Sequence, residues 1–239
     1  MMTELTLPII GYMHSSYKEK FGIPRQPNLV QVESYIEMSA PYNDVLAFEG
    51  IEAFSHLWLL WQFHDNKNPE KTQFRPQVRP PRLGGNKKIG VFATRSMYRP
   101  SQIGLSVVRL KCVKKEGKSV RVYVTGSDLL DGTPIVDIKP YIHYSDAVIN
   151  AESGYAQDEP KRKSVIWSDR AIEQKQQLLM SEKLSVQTAQ ELEAVLSLDP
   201  RPAYQDDEAR VYKMKFAAVD IAFTVGETTV NITAVELET

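Results

Sequence analysis

Through residues 105–113, 119–126 and 133–138 the chain passes three strand-like runs with no helical period between them. The first two are joined across Lys115-Glu116-Gly117, which reads as a hairpin. Residues 89–94 read as a further strand ahead of them. Strands at this spacing predict an antiparallel sheet or barrel.

The flanking segments extend that plan. Residues 5–13 and 35–38 read as strands on either side of a proline-spaced loop over 21–28. Residues 53–63 are apolar almost throughout, with Phe54, Leu57, Trp58, Leu59, Leu60, Trp61 and Phe63. Their length and flanks predict a strand buried on both faces, although periodicity alone does not separate it from a helix. Pro76, Pro80, Pro81, Gly84, Gly85 and Gly90 predict an ordered loop rather than an element.

Composition shifts near Asp146, and the polar stretch 153–164 reads as a linker or exposed loop. Helix signals begin at Ser168, an N-cap, and continue through Ile172, Leu178, Leu179, Val186, Leu192, Val195 and Leu196. Asp199-Pro200-Arg201-Pro202 ends the helical region. Residues 211–216, 219–225 and 229–237 then read as a small meander turning at Gly226-Glu227. The expected division is a β domain over 1–150 and a small α+β domain over 151–239.

Several chemistries are disfavoured by what is missing. No phosphate-binding loop and no Gly-x-Gly-x-x-Gly after a strand is present, so any nucleotide cofactor is not held in the usual α/β way. His14, His56, His64 and His143 lack zinc spacing, and the single Cys112 cannot complete a thiolate site, so no metal is expected. There is no Gly-x-Ser-x-Gly elbow of a serine hydrolase. One cysteine suits a reducing compartment, and no apolar run reaches the roughly 18 residues of a membrane span. The expected location is the cytoplasm.

Charge is segregated. Residues 67–121 carry 15 of the 29 lysines and arginines but only Glu70 and Glu116 among the acids. A chain of net charge −1 that gathers its cations in this way is a candidate for a polyanionic partner, against the plainer reading of a solvated basic face.

Four segments hold polar groups that ordinary turns do not require. Gly22-Ile-Pro24-Arg25-Gln26 presents its last two side chains from a backbone stiffened by proline. His64 and Asp65 stand where the apolar strand surfaces. Arg79, Arg82, Arg95 and Arg99 sit on Arg-Pro and glycine-rich backbone, with Phe92 and Tyr98 nearby for stacking on a splayed base. Asp128, Asp131 and Asp137 place three carboxylates within ten residues, more than a turn needs.

Together these stretches closely resemble the TrmO family of β-barrel tRNA N6-methyltransferases. The matching text is Tyr17-Lys-Glu-Lys-Phe, Pro24-Arg-Gln-Pro, Gly50-x-Glu-Ala-Phe-Ser-His-Leu-Trp, Val78-Arg-Pro-Pro-Arg-Leu-Gly-Gly-Asn, Gly90-Val-Phe-Ala-Thr-Arg-Ser, Asp131-Gly-Thr-Pro-Ile-Val-Asp-Ile-Lys-Pro-Tyr and Asp199-Pro-Arg-Pro-Ala-Tyr. The family usually reads Arg-Pro-Asn-Pro-Ile-Gly where this chain has Arg99-Pro-Ser-Gln-Ile-Gly104, so that turn is expected to be less rigid.

The resemblance implies a mainly β protein: a closed antiparallel barrel, not a Rossmann sheet, that binds S-adenosylmethionine, followed by the α+β domain, in a homodimer. It implies methylation of N6 of N6-threonylcarbamoyladenosine at position 37 of threonine-type tRNA. By position, the cofactor would meet Pro24, Arg25, Gln26, His64, Asp65, Arg95, Leu105 and the turn Asp128, Leu129, Leu130, Asp131. Arg79, Arg82, Arg99, Lys139 and Tyr141 would meet RNA. Asp137, or another carboxylate of the 128–137 segment, would act as general base, because the acceptor nitrogen's lone pair is delocalised and its proton must leave. The rival readings are a non-catalytic RNA-binding module and a methyltransferase acting on a small molecule.

Overall fold

The computed structural model describes residues 5–65, 74–202, 205 and 207–238. The first half contains β1 (Gly11–His14), β2 (Glu33–Met38), β3 (His56–Gln62), β4 (Gln77–Val78), β5 (Ile89–Gly90), β6 (Ile103–Glu116), β7 (Ser119–Thr125), β8 (Pro134–Pro140) and α1 (His143–Asp146). The second contains β9 (Ser164–Trp167), α2 (Asp169–Met180), α3 (Val186–Leu196), β10 (Tyr212–Phe216), β11 (Val219–Val225) and β12 (Thr229–Leu237).

Six strands close into an antiparallel barrel in the order β1-β2-β7-β6-β3-β8. Alternation explains the closure, since one side chain in two faces the axis. Ile36, Leu57, Leu59, Val108, Val120, Val122, Val124 and Ile135 fill the interior, each shut off from solvent. The β6–β7 hairpin turns at Gly117-Lys118, beyond the Glu116–Ser119 pair. Gly117 sits at φ 63°, where a Cβ would be strained.

The second half forms a four-stranded sheet, β10-β11-β12-β9, with β9 parallel to β12. Ser168 Oγ accepts from Ala171 N at 3.3 Å to start α2, and Ser185 Oγ accepts from Thr188 N at 2.9 Å to start α3. Leu178, Leu192, Val195 and Leu196 from the helices pack with Phe216, Ile221, Phe223 and Ile232 from the sheet. Tyr17, Val30 and Val32, from the β1–β2 connection, belong to this second core rather than to the barrel's.

Several boundaries and elements differ from expectation. The apolar stretch 53–63 is not a strand buried on both faces: β3 begins at His56, and only Leu57, Leu59 and Trp61 point inward. Its outer face is half covered, with Trp58 Nε1 donating to Asp146 Oδ2 at 2.9 Å. Residues 89–94 are not a barrel strand. Only Ile89–Gly90 is extended, paired with β4, and Thr94 bonds back through N and Oγ1 to the Val91 carbonyl, curling the chain. The expected helices number two, the first ending at Met180, where Ser181 caps α2. Finally, residues 164–167 form a strand that overlaps the expected linker only at Ser164 and was not among the expected elements. Among the described residues no helix is long and apolar enough to cross a membrane.

Candidate active site

At the barrel end where β3 finishes and β6 and β8 begin lies a cavity of about 590 Å³. Its walls come from the β1–β2 connection, the chain just past β3, residues 92–99, the first residues of β6 and the 128–133 loop. That volume is in the range of small-molecule and cofactor sites.

The floor is aromatic. The Trp61 ring covers the backbone of Gly104, so close that a Cβ there would stand 2.2 Å from Cε2. Phe63 meets Trp61 edge-on, centroids 4.4 Å apart. Trp61 Nε1 donates to Ser106 Oγ at 3.0 Å, and Ser106 Oγ donates to Asp128 Oδ1 at 2.6 Å. Asp128 is therefore held from behind by a relay that runs into the barrel. Burial pushes its carboxyl up to about 6, against the opposite pull of the Ser106 hydroxyl and of Arg95.

The loop that carries Asp128 is stitched to Ser15 and Lys18, just past the end of β1. Ser15 N donates to Asp131 Oδ1 at 2.9 Å, Ser15 Oγ to the Leu129 carbonyl at 2.9 Å, and Lys18 Nζ pairs with Asp131 Oδ2 at 2.9 Å. The neighbouring carboxylates thus differ in task. Asp131 is occupied in holding the loop, whereas Asp128 faces the cavity.

Most of the cofactor residues expected from the sequence converge here. Pro24, Arg25, Gln26, His64, Asp65, Arg95, Leu105, Asp128 and Leu130 line the cavity. Leu129 is absent from the lining because its side chain is fully buried in the barrel core. Arg95 Nη1 donates to Gln26 Oε1 at 2.6 Å, and Lys20 pairs with Asp65 at 3.4 Å, tying the mouth together.

The expected RNA contacts divide. Arg99 lines the cavity and lies over the exposed Phe92 ring, 5.4 Å from its centroid. Arg75 lies likewise over Tyr98 at 5.1 Å, and Phe74 stands 6.1 Å from Phe92, so the lip is built of guanidinium groups and aromatic rings. Arg79 and Arg82 are exposed outside the cavity, Arg82 donating to the Asp158 carbonyl. Lys139 and Tyr141 are not brought to the cavity: Pro140 pairs with Leu57, at the far end of β3 from Trp61. Asp137 also stands outside it, half-exposed and ion-paired with Lys139 at 2.8 Å. Its separation from the cavity removes the reason for naming it as base.

Trp61, Ser106, Lys20 and Thr133 belong to the site without standing out as site residues in the sequence. Ser106 carried a signal, being a hydroxyl on the inward face of β6, whose other buried members are Gly104, Val108 and Leu110. The usual Pro-Ile-Gly stands here as Gln102-Ile-Gly104, and Gln102 takes φ 50° and donates its N–H to Arg99 O at 3.1 Å. Proline permits neither.

Comparison with known proteins agrees with this arrangement. Residues 12–147 match the family described as the tRNA-methyltransferase O N-terminal domain, and residues 160–238 match the TrmO C-terminal domain. A tRNA (adenine(37)-N6)-methyltransferase of Escherichia coli K12 is 45% identical over 208 residues, 87% of this chain and 86% of that protein. A Pseudomonas aeruginosa protein named putative S-adenosylmethionine-dependent methyltransferase RcsF is 44% identical over 223 residues, 92% of each chain. The crystal structure of TrmO from Pseudomonas aeruginosa superposes with a TM-score of 0.78 at 35% identity, covering 98% of this chain and 99% of that one.

Proposed function

The chain belongs to the tRNA-methyltransferase O family, and from that premise we propose that it methylates N6 of adenosine 37 in tRNA, using S-adenosylmethionine. The acceptor in this reading is the N6-threonylcarbamoyl form of that adenosine in threonine-type tRNA. The observation that carries the reading is the carboxylate of Asp128, held by Ser106 at the wall of a cofactor-sized cavity beneath a basic, aromatic lip.

The residues present suit the cofactor. Trp61 and Phe63 offer an apolar wall, Leu105 and Leu130 extend it, and Gln26, Arg25 and Arg95 offer polar groups to a ribose or a carboxylate. S-adenosylmethionine supplies an electrophilic methyl group on a sulfonium. The protein's task is then to align acceptor and donor and to keep water out.

The acceptor nitrogen is poorly nucleophilic, since its lone pair is shared with the purine ring and the urea carbonyl. Asp128 answers that need. A carboxyl whose proton affinity lies near the working pH is mostly ionised at neutrality yet a stronger base than an exposed one. The lip supports delivery of a base taken out of its stack. Phe92 and Tyr98 present exposed rings for stacking, and Arg79, Arg82 and Arg99 suit loop phosphates and the threonyl carboxylate. We place the enzyme in the cytoplasm, where its tRNA substrate would be, and take the working unit as a homodimer, the latter choice supported by the exposed apolar side chains Tyr144, Val148 and Ile149.

The test is transfer of a labelled methyl group to tRNA with and without the threonylcarbamoyl group. Transfer to the modified tRNA alone supports the reading. Equal transfer to the free modified nucleoside would point to a small-molecule methyltransferase. Failure to bind S-adenosylmethionine at all would leave an RNA-binding module.

A further inference from the structure

The β1–β2 connection has two faces. One gives Lys20, Ile23, Pro24, Arg25 and Gln26 to the cavity. The other is built into the C-terminal unit. Tyr17 bridges Phe216, and Ala217 N donates to the Ser16 carbonyl at 2.8 Å. Phe21 stacks on Tyr212 and Phe223, with centroids 6.4 and 6.3 Å away. Gly22, at φ 92°, passes so close to the sheet that a Cβ would lie 2.7 Å from Met214 Cε.

The contact ends on the Asp199-Pro-Arg-Pro segment, which the catalytic reading leaves without a task. Arg201 is buried, 7% exposed. Its guanidinium is gripped by Asp199, Nε to Oδ1 and Nη2 to Oδ2 both at 2.9 Å, and Nη1 reaches Val225 O at 3.4 Å. Asp199 is itself drawn toward Lys163 at 3.6 Å. Fixed in this way, the Arg201 carbonyl accepts from Arg25 Nη2 at 3.0 Å. The bidentate pair therefore fixes the backbone, and the backbone fixes a side chain of the cavity wall.

We infer that the C-terminal unit forms the back of the cofactor site, and that Asp199 and Arg201 are positioning residues acting on that site through Arg25. The inference rests on the cavity being the S-adenosylmethionine site. It gives the C-terminal unit work inside the reaction centre, in addition to any contact it makes with RNA.

The experiment is calorimetric titration of the full chain with S-adenosylmethionine, for wild type, Asp199→Asn, Arg25→Ala and the double variant, with thermal unfolding of each ligand-free protein. Each single change is expected to weaken binding on the order of tenfold, and the double to be no weaker than the worse single, because both break one path. A role confined to stability would lower the melting temperature and leave the affinity of the folded protein unchanged. Should Asp199→Asn not fold, Phe21→Leu replaces it, loosening the same loop, and the same non-additivity is required. Wild-type affinity in a folded Asp199→Asn, or losses that multiply in the double, would overturn the inference alone. A wild type that binds no S-adenosylmethionine would overturn the functional reading along with it.

Discussion

Trp61 and Gly104 are paired residues of β3 and β6, and the indole lies over the glycine where any other residue would collide with it. The contact sets the floor of the cavity and aims Nε1 at Ser106. Gly104→Ala must therefore move the ring or the strand. A cost of about 1–3 kcal/mol is expected from overpacking, with weakened binding of S-adenosylmethionine. Unfolding and titration together check it, and unchanged values in both would show that the ring has no part in the site.

Ser106 is the only bridge between that indole and Asp128 among the described residues. Ser106→Ala leaves a buried indole N–H without its acceptor and removes a hydrogen bond that favours the ionised carboxylate. The expected loss is about 1–3 kcal/mol of stability. Since the Ser106 bond lowers the Asp128 pKa, the acid limb of the rate profile should also move to higher pH. A profile that stays in place while stability falls would confine Ser106 to a structural role.

Asp128 has a second consequence, for stability. Its carboxyl titrates near 6 in the fold against an ordinary 3.8, so the fold favours the protonated form. The associated stability is fully present below pH 4 and is lost as pH rises to about 6. Asp128→Asn should accordingly be more stable than wild type at pH 7, by on the order of 2–3 kcal/mol at most, with the gain vanishing below pH 4. Denaturant unfolding across that range measures it.

Gln102 closes the turn that leads into β6 with φ 50° and a donated N–H. Gln102→Pro, which restores the usual family text, removes both and is expected to destabilise by about 3 kcal/mol or more. A neutral result would mean that the turn re-forms in another geometry.

The barrel was legible because alternation in β2, β6, β7 and β8 is a local property that burial on one side imposes. The short strand β9 was not, since its four residues gain their pairing only from β12, some 65 residues later along the chain. The site was legible as a set of segments but not as an assignment of tasks. Asp128, Asp131 and Asp137 look alike in the sequence. They are told apart by distant partners: Ser106 for Asp128, Ser15 and Lys18 for Asp131, and the outward position beside Lys139 for Asp137. Arg25 was legible as a cofactor-side group, but the Arg201 carbonyl that holds it from behind was not, since it lies 176 residues further along the chain.

The most direct measurement is single-turnover methyl transfer to tRNA carrying threonylcarbamoyladenosine, comparing wild type with Asp128→Asn at saturating S-adenosylmethionine. A general base at Asp128 requires a wild-type rate that falls below about pH 6 and a variant rate lower by about 10²–10⁴-fold. A variant that turns over at the wild-type rate once saturated, losing only cofactor affinity, would contradict that role and leave Asp128 as a group that holds the cofactor.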